Sequence, residues 1–384
     1  MKTTADTLII GAGVNGCAAA YYLAKAGVDV IVLDADTCIG NGGSSRNGGG
    51  VRQSGRDARE LPYVMWGIRE LWPNLSQELG TDIEYCQGGN LRLGKTEAHL
   101  QTLKRLADNA CSAGLDVRMI SGEEARSINP YLSHEVLGAS WCPTDGHADP
   151  LKTTLAYYRR ARESGAQFYT GTRVTGLRKT HGILREVLTA DGTVFAADKV
   201  IVAAGYASRS LLNTVGVDIP LELKVGETLV TEAEPPLFEQ MLGTAAADFY
   251  GHQTKHGSFI FGGSPGYDLF NHHDESALSC PPATSLHAPY LSRAIMGYFP
   301  ALAGAKIVRA WGGWMDICAD GVPVVGPVDE VPGLILACGF SGHGFGSAPA
   351  IGKLLAELAQ EQPLSVDLSA LRYDRFLAKD KKAV

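Results

Sequence analysis

Six residues near the N-terminus, Gly11-Ala12-Gly13-Val14-Asn15-Gly16, restrict what this chain can fold into more than any other feature. The run 7–10 ahead of them is apolar and rich in β-formers, as a buried parallel strand requires. Residues 17–25 behind them are alanine-rich and read as helix, closed by Gly27, and 28–33 form a second apolar strand ending at Asp34. Strand, glycine turn, helix, strand and acid together make a dinucleotide-binding unit. Gly11 allows the tight turn, Gly13 lets backbone approach a pyrophosphate, and Gly16 lets the helix pack closely on the strand. Val14 and Asn15 open the helix, whose free N–H groups and positive dipole end face the phosphates. Asp34, followed by Ala35, stands where a carboxylate accepts hydrogen bonds from a ribose, and it disfavours a 2′-phosphate, which argues against NADP.

The rest of the chain selects the dinucleotide. Gly42-Gly43-Ser44-Ser45-Arg46-Asn47-Gly48-Gly49-Gly50 follows the second strand. A free loop has such a composition, and so does a segment threading beneath a large planar ligand, with Arg46 at a pyrophosphate and Arg52 on a flavin side. Two distant segments favour the second reading. Lys199-Val200-Ile201-Val202 is a strand that ends in the small residues Ala203-Ala204-Gly205, after a hairpin turned by Asp191-Gly192. Near the C-terminus the strand 333–338 runs into Gly339-Phe340-Ser341-Gly342-His343-Gly344-Phe345-Gly346, with a helix over 348–360. A second helix N-terminus thus follows a glycine-rich turn, and its dipole would stabilise negative charge on a reduced ring. Three separated segments committed to one extended ligand point to FAD and disfavour an NAD-dependent dehydrogenase.

At 384 residues the chain is long enough for two intertwined domains. The expected fold is α/β: a dinucleotide-binding FAD domain over 1–80, 141–221 and 309–384, with a second, α+β substrate domain. That second domain is two insertions, 81–140 and 222–308, around a mixed sheet covering the reactive face. Residues 61–79 read as a helical stretch interrupted by Pro73, with Trp66 and Trp72 as core. A net charge of −7 without a basic run excludes a nucleic-acid footprint. The eight cysteines contain no C-x-x-C, so neither a zinc nor an iron–sulfur site is expected, and the thiols read as reduced. No membrane span is expected, because no stretch of about 18 apolar residues occurs. The chain enters a strand almost at once, leaving no room for an export signal, and the expected location is cytoplasmic.

The N-terminal unit, residues 44–50, the strand 200–205 and the segment 321–346 resemble the D-amino-acid oxidase/sarcosine oxidase/glycine oxidase family of flavoproteins. Asp145-Gly146-His147-Ala148-Asp149-Pro150 and Arg173-Val174-Thr175-Gly176-Leu177 fit the same pattern. The resemblance implies that Val174 meets the adenine end through its backbone. Trp311-Gly312-Gly313-Trp314-Met315-Asp316 and the 339–345 turn look like the FAD-carrying β subunits of heteromeric opine oxidases, proline and hydroxyproline dehydrogenases, hydrogen cyanide synthase and sarcosine oxidase. For this chain that implies oxidation of an amino-acid-derived, secondary amine, with electrons leaving to a partner subunit through FMN at an interface or an iron–sulfur centre. The alternatives are a self-sufficient glycine or D-amino-acid oxidase using O2, and an electron-transfer subunit with an unused substrate face. The sequence departs from the family in two places. No arginine stands near Met315 to clamp a substrate carboxylate, and His147 is one residue from the family's covalent FMN histidine, so any FMN is expected to be non-covalent.

Amine oxidation on a flavin needs orientation and electrostatics more than a catalytic triad. A hydride leaves the carbon beside nitrogen for flavin N5, and the imine then hydrolyses. His343, inside the C-terminal turn, is expected at the ring as a hydrogen-bonding or charged group. His252, with Gln253, is a candidate for substrate contact. Arg52 and Arg309 are the carboxylate-clamp candidates, each against the alternative of a surface or inter-domain ion pair. Gly313, Gly342, Gly344 and Phe345 complete the cofactor set. His272-His273 sits among Asp274 and Glu275 and reads as a solvated pair, so no metal is assigned.

Overall fold

The computed structural model describes residues 1–263 and 287–377. His272, His273 and Cys280 lie outside them. The N-terminal strand is Thr4–Ile10, flanked in parallel by Val194–Val202 on one side and Val30–Leu33 on the other. Leu334–Cys338 extends the parallel sheet past Val194–Val202, and Gln167–Tyr169 extends it past Val30–Leu33. Ile9 and Val32 bury into one apolar cluster, and Leu8, Ile10 and Ile31 into another on the opposite face. This explains the uninterrupted apolar runs, because a sheet covered on both faces shows no alternation.

The hairpin of Ile183–Thr189 continues without a break into the parallel strand. The sequence divides this element in two, but Val194–Val202 is one strand whose first part pairs antiparallel with the hairpin and whose residues 196–202 lie beside Thr4–Ile10.

Among the described residues a second sheet runs from the long edge strand Ile307–Cys318 through Leu221–Ala233, Ser258–Gly263, Tyr250–Gln253, Met241–Thr244, Asn90–Gly94 and Gly138–Cys142 to Arg118–Ser121. It is mixed, since Met241–Thr244 is parallel to Asn90–Gly94 and the other pairings are antiparallel. Residues 309–318, grouped by sequence with the cofactor domain, pair throughout with Leu221–Ala233. The strand belongs to the second sheet by hydrogen bonding, yet its far end returns to the cofactor side, where Ile317 bridges to Phe340.

Two helices place the site. The first, Val14–Lys25, packs against the C-terminal one, Gly344–Ala359, at Gly352, where an added Cβ would lie 2.4 Å from the Ala18 Cβ. That close approach sets both N-termini toward one cleft. The 61–79 stretch opens as helix Leu61–Trp66 and widens over Gly67–Leu71, and Pro73 forces the tight turn Trp72–Asn74 before Leu75–Leu79. Trp72 is fully buried, its Nε1 donating to the Gly346 carbonyl at 2.9 Å, and Trp66 is half-buried under Lys353. Among the described residues no helix is long and apolar enough to cross a membrane.

Candidate active site

A cleft of about 440 Å³ is lined from both sheets and both helix N-termini. Its floor is the first glycine turn. Gly11 has φ 106°, and a side chain there would sit 2.3 Å from the Ala203 carbonyl oxygen. Glycine therefore brings the turn against the strand end, with Ala203, Ala204 and Gly205 beside it. Gly13 caps the first helix without a side-chain hydrogen bond, no acid occupies its first turn, and the Ser44 hydroxyl accepts from Val14 N at 2.8 Å. Gly16 lies outside the cleft, its Cα packed against the Gly11 backbone. Asp34 turns one oxygen to Ala12 N at 2.6 Å and the other to Asp36 N at 2.8 Å, and burial raises its pKa. Asp34, Ala35 and Val174 line one end, and Asn15, Ser44, Arg46, Asn47, Gly50 and Gly313 continue the wall. Two atoms here are buried without a partner among the described residues, Asn15 Oδ1 and Arg46 Nε. The unmatched Arg46 Nε–H, two helix starts whose N-cap residues give no side-chain cap, and backbone stripped of side chains fit an extended, phosphate-bearing FAD.

The opposite end is built by the second turn. Gly342, His343, Gly344 and Phe345 line the cleft, and the helix begins at Gly344, four residues earlier than the sequence suggests. Ser341 adopts φ 50°, rare outside glycine, and its hydroxyl accepts from Cys318 N at 3.1 Å while donating to the Gly339 carbonyl. Asp316 Oδ2 accepts from Gly339 N at 2.7 Å, and burial pushes its carboxyl up to about 6.

Arg52 lines the cleft over the Tyr250 ring, 5.7 Å from its centroid, with no hydrogen bond or ion pair to its guanidinium among the described residues. Burial and the neighbouring Arg56 charge lower its pKa. Arg56 also lines the cleft and pairs with Glu60 at 2.9 Å. Glu227 and Thr228, from the second sheet, face the same space, with Glu227 held 3.0 Å from His287 Nδ1.

Several expected residues lie elsewhere. His252 is buried behind the cleft wall, its ring stacked on His147 with centroids 3.7 Å apart. Gln253 is spent on its own neighbourhood, accepting from Leu237 N and donating to the carbonyls of Pro235 and Gly257. Arg309 is exposed at the sheet edge over the Trp311 ring, away from the cleft. Ser45, Gly48 and Gly49 back the wall without lining it, and Gly49 is pressed against the Ala148 carbonyl. Conversely, Tyr250, Arg56, Glu60 and Asp316 are functional candidates that pattern reading passed over. Of these, Asp316 closes the Trp311–Asp316 motif that the sequence shows, although no role follows from the motif itself.

A parallel sheet with a glycine turn at its strand ends, facing a second sheet across an extended cleft, defines a dinucleotide-dependent oxidoreductase. Residues 6–358 match the DAO family, FAD dependent oxidoreductase, and the chain belongs to it. Its cofactor is FAD. The chain is 27% identical to the beta chain of the sarcosine oxidase of Rhodobacter capsulatus, over 97% of this chain and 89% of that one. It is 28% identical to one of the subunits of the opine oxidase of Rhizobium meliloti, over 96% and 98%. The crystal structure of L-proline dehydrogenase from P. horikoshii superposes with a TM-score of 0.89 at 30% identity, covering 99% of both chains.

Proposed function

We propose that this chain is the catalytic, FAD-carrying subunit of a heteromeric dehydrogenase that oxidises the C–N bond of an amino-acid-derived secondary amine. The observation that carries the reading is Arg52, a guanidinium at the cleft with its donors unspent among the described residues. A fork of N–H donors in a water-poor wall is matched by a carboxylate. The substrate carboxylate would sit on Arg52 over Tyr250. The amine would lie toward His343 and the second helix N-terminus. Bound FAD supplies the two-electron acceptor for the hydride leaving the carbon beside nitrogen, and the imine product hydrolyses in water. Gly11, Gly13, Val14 and Asn15 would hold the pyrophosphate with Ser44 and Arg46, Asp34 the ribose, and Val174 the adenine end. Gly342, Gly344 and Phe345 would pack at the ring.

The named relatives support the substrate class. Sarcosine and L-proline are both secondary amines carrying one carboxylate, and opines are secondary amines built from amino acids. The sarcosine oxidase and opine oxidase relatives are themselves subunits by name, which supports a partner that takes the electrons onward, through FMN at the interface or another centre. Anaerobic titration with glycine, sarcosine, D- and L-proline, hydroxyprolines and octopine, following the visible flavin band, tests the reading. Bleaching by secondary amines with slow reoxidation by O2 is the expected result. Rapid reoxidation by O2 of the chain alone would make it a self-sufficient oxidase, and failure of every amine would overturn the substrate class.

A further inference from the structure

We infer that Glu60 is a positioning residue for His343, holding the imidazole with its proton on Nδ1 so that Nε2 takes the proton of the substrate ammonium. The inference rests on the amine-oxidising reading and adds to it the group that renders the amine neutral.

Glu60 is fully buried. Its Oε2 accepts from Arg56 Nη1 at 2.9 Å and from the Tyr63 hydroxyl at 3.1 Å. Its Oε1 is buried with no hydrogen bond among the described residues, and 3.4 Å away lies His343 Nδ1, equally buried and equally unmatched. A carboxylate oxygen only accepts, so a hydrogen bond between these two unmatched atoms requires the hydrogen on Nδ1. The backbone around the ring is pinned. The His343 carbonyl accepts from Arg56 Nη2 at 3.1 Å and from Ser347 Oγ at 3.3 Å, and its N–H donates to the Phe340 carbonyl at 2.7 Å. The ring itself lines the cleft, so with Nδ1 turned to Glu60 the nitrogen left for the cleft is Nε2.

The charges around the ring suit a base. Burial lowers the His343 pKa, Arg56 and Arg52 push the same way, and Glu60 opposes them. The first helix brings the uncharged Asn15 beside the adjoining Gly344, and the C-terminal helix has no acid in its first turn. The free ring is therefore neutral. When an ammonium gives its proton to Nε2, the N–H bond of the substrate breaks and an N–H bond on the imidazole forms. The imidazolium stands beside Glu60, while the substrate carboxylate offsets Arg52. No electrons move, and the proton leaves to water after turnover. A purely structural Glu60 would only neutralise Arg56.

The test uses the holoenzyme labelled with 15N-histidine, with His343→Gln to assign the signal. Long-range proton–nitrogen correlation at pH 8 is expected to show Nδ1 protonated and Nε2 bare. In Glu60→Gln the ring is expected to lose its single tautomer. The acidic limb of the pH profile of anaerobic flavin reduction should then move down by about a unit, with the plateau rate falling about 10- to 100-fold and KM little changed. Glu60→Asp, which keeps the charge, should recover part of the rate. A wild-type ring protonated on Nε2 overturns the inference, and so does a Glu60→Gln protein with unchanged tautomer and unchanged acidic limb. If Glu60→Gln does not retain FAD, the wild-type tautomer alone decides. If no amine reduces the flavin, the functional reading fails, and the tautomer still decides the Glu60 contact separately.

Discussion

The cleft has two ends built on different principles. At the first turn the working parts are mainly backbone: Gly11 folded against the Ala203 carbonyl and the start of Val14–Lys25, braced by the Asp34 carboxylate on Ala12 N and the Ser44 hydroxyl on Val14 N. At the second turn the working parts are side chains whose settings come from far along the chain. His343 is set by Glu60 and Arg56, and Asp316 holds Gly339. A backbone site tolerates no added atoms but needs few particular side chains. A side-chain site tolerates substitution sterically and fails chemically.

The largest effect should follow from filling the first turn. Gly11→Val places carbon 2.3 Å from the Ala203 oxygen at a φ of 106° that valine does not adopt. The expected protein folds but is purified largely without FAD, as read from flavin absorbance per chain. Full FAD content in Gly11→Val would break the contrast, because the first turn would then not be steric in nature.

Behind the second region, His147 and His252 offer a pH test. Burial brings His147 to about 4 and His252 well below its ordinary value. Both rings are thus neutral when folded, whereas in the unfolded chain they titrate near ~6.5. Between roughly pH 6.5 and 4 the unfolded chain binds protons the folded one refuses, so stability falls as pH falls through that window. His147 alone accounts for about 3 kcal/mol on the scale of ~1.4 kcal/mol per pKa unit. Urea unfolding from pH 8 to 4.5 measures it, and His147→Gln should flatten the curve. An equal slope in the variant would remove the stack from the account.

How much of this was legible in the sequence follows the same division. The first turn was readable because its glycines, strand, helix and acid are local, and spacing alone specifies them. The second turn was readable as a turn, and His343 as its side chain, but Glu60 and Arg56 gave no sign. They lie on an ordinary charged stretch, and only the packing of Leu61–Trp66 near Gly344–Ala359 brings them to the ring. His252 misled because a polar residue ahead of a strand looks exposed, whereas the alternation of Tyr250–Gln253 turns it against His147. The helix begins at Gly344 and not at 348 because the last residues of the glycine-rich turn already form its first turn, with Pro349 inside the helix.

The two arginines weighed as carboxylate clamps sharpen the comparison at its small end. Arg52→Met removes the cleft guanidinium while keeping bulk, and should lower kcat/KM for a carboxylate-bearing amine about a hundredfold, with FAD retained. Arg309 stands exposed over Trp311 at the edge of the second sheet, where solvent screens its charge. Arg309→Ala should therefore leave kcat/KM within about twofold, the expectation for a surface site without a buried partner. Steady-state kinetics with the amine that bleaches the flavin measure both. A tenfold loss in Arg309→Ala beside an unaffected Arg52→Met would move the substrate carboxylate out to the rim of Ile307–Cys318. The side-chain end of the cleft would then have to be redrawn around that edge strand, with Arg52 kept only as a cation whose charge helps lower the His343 pKa.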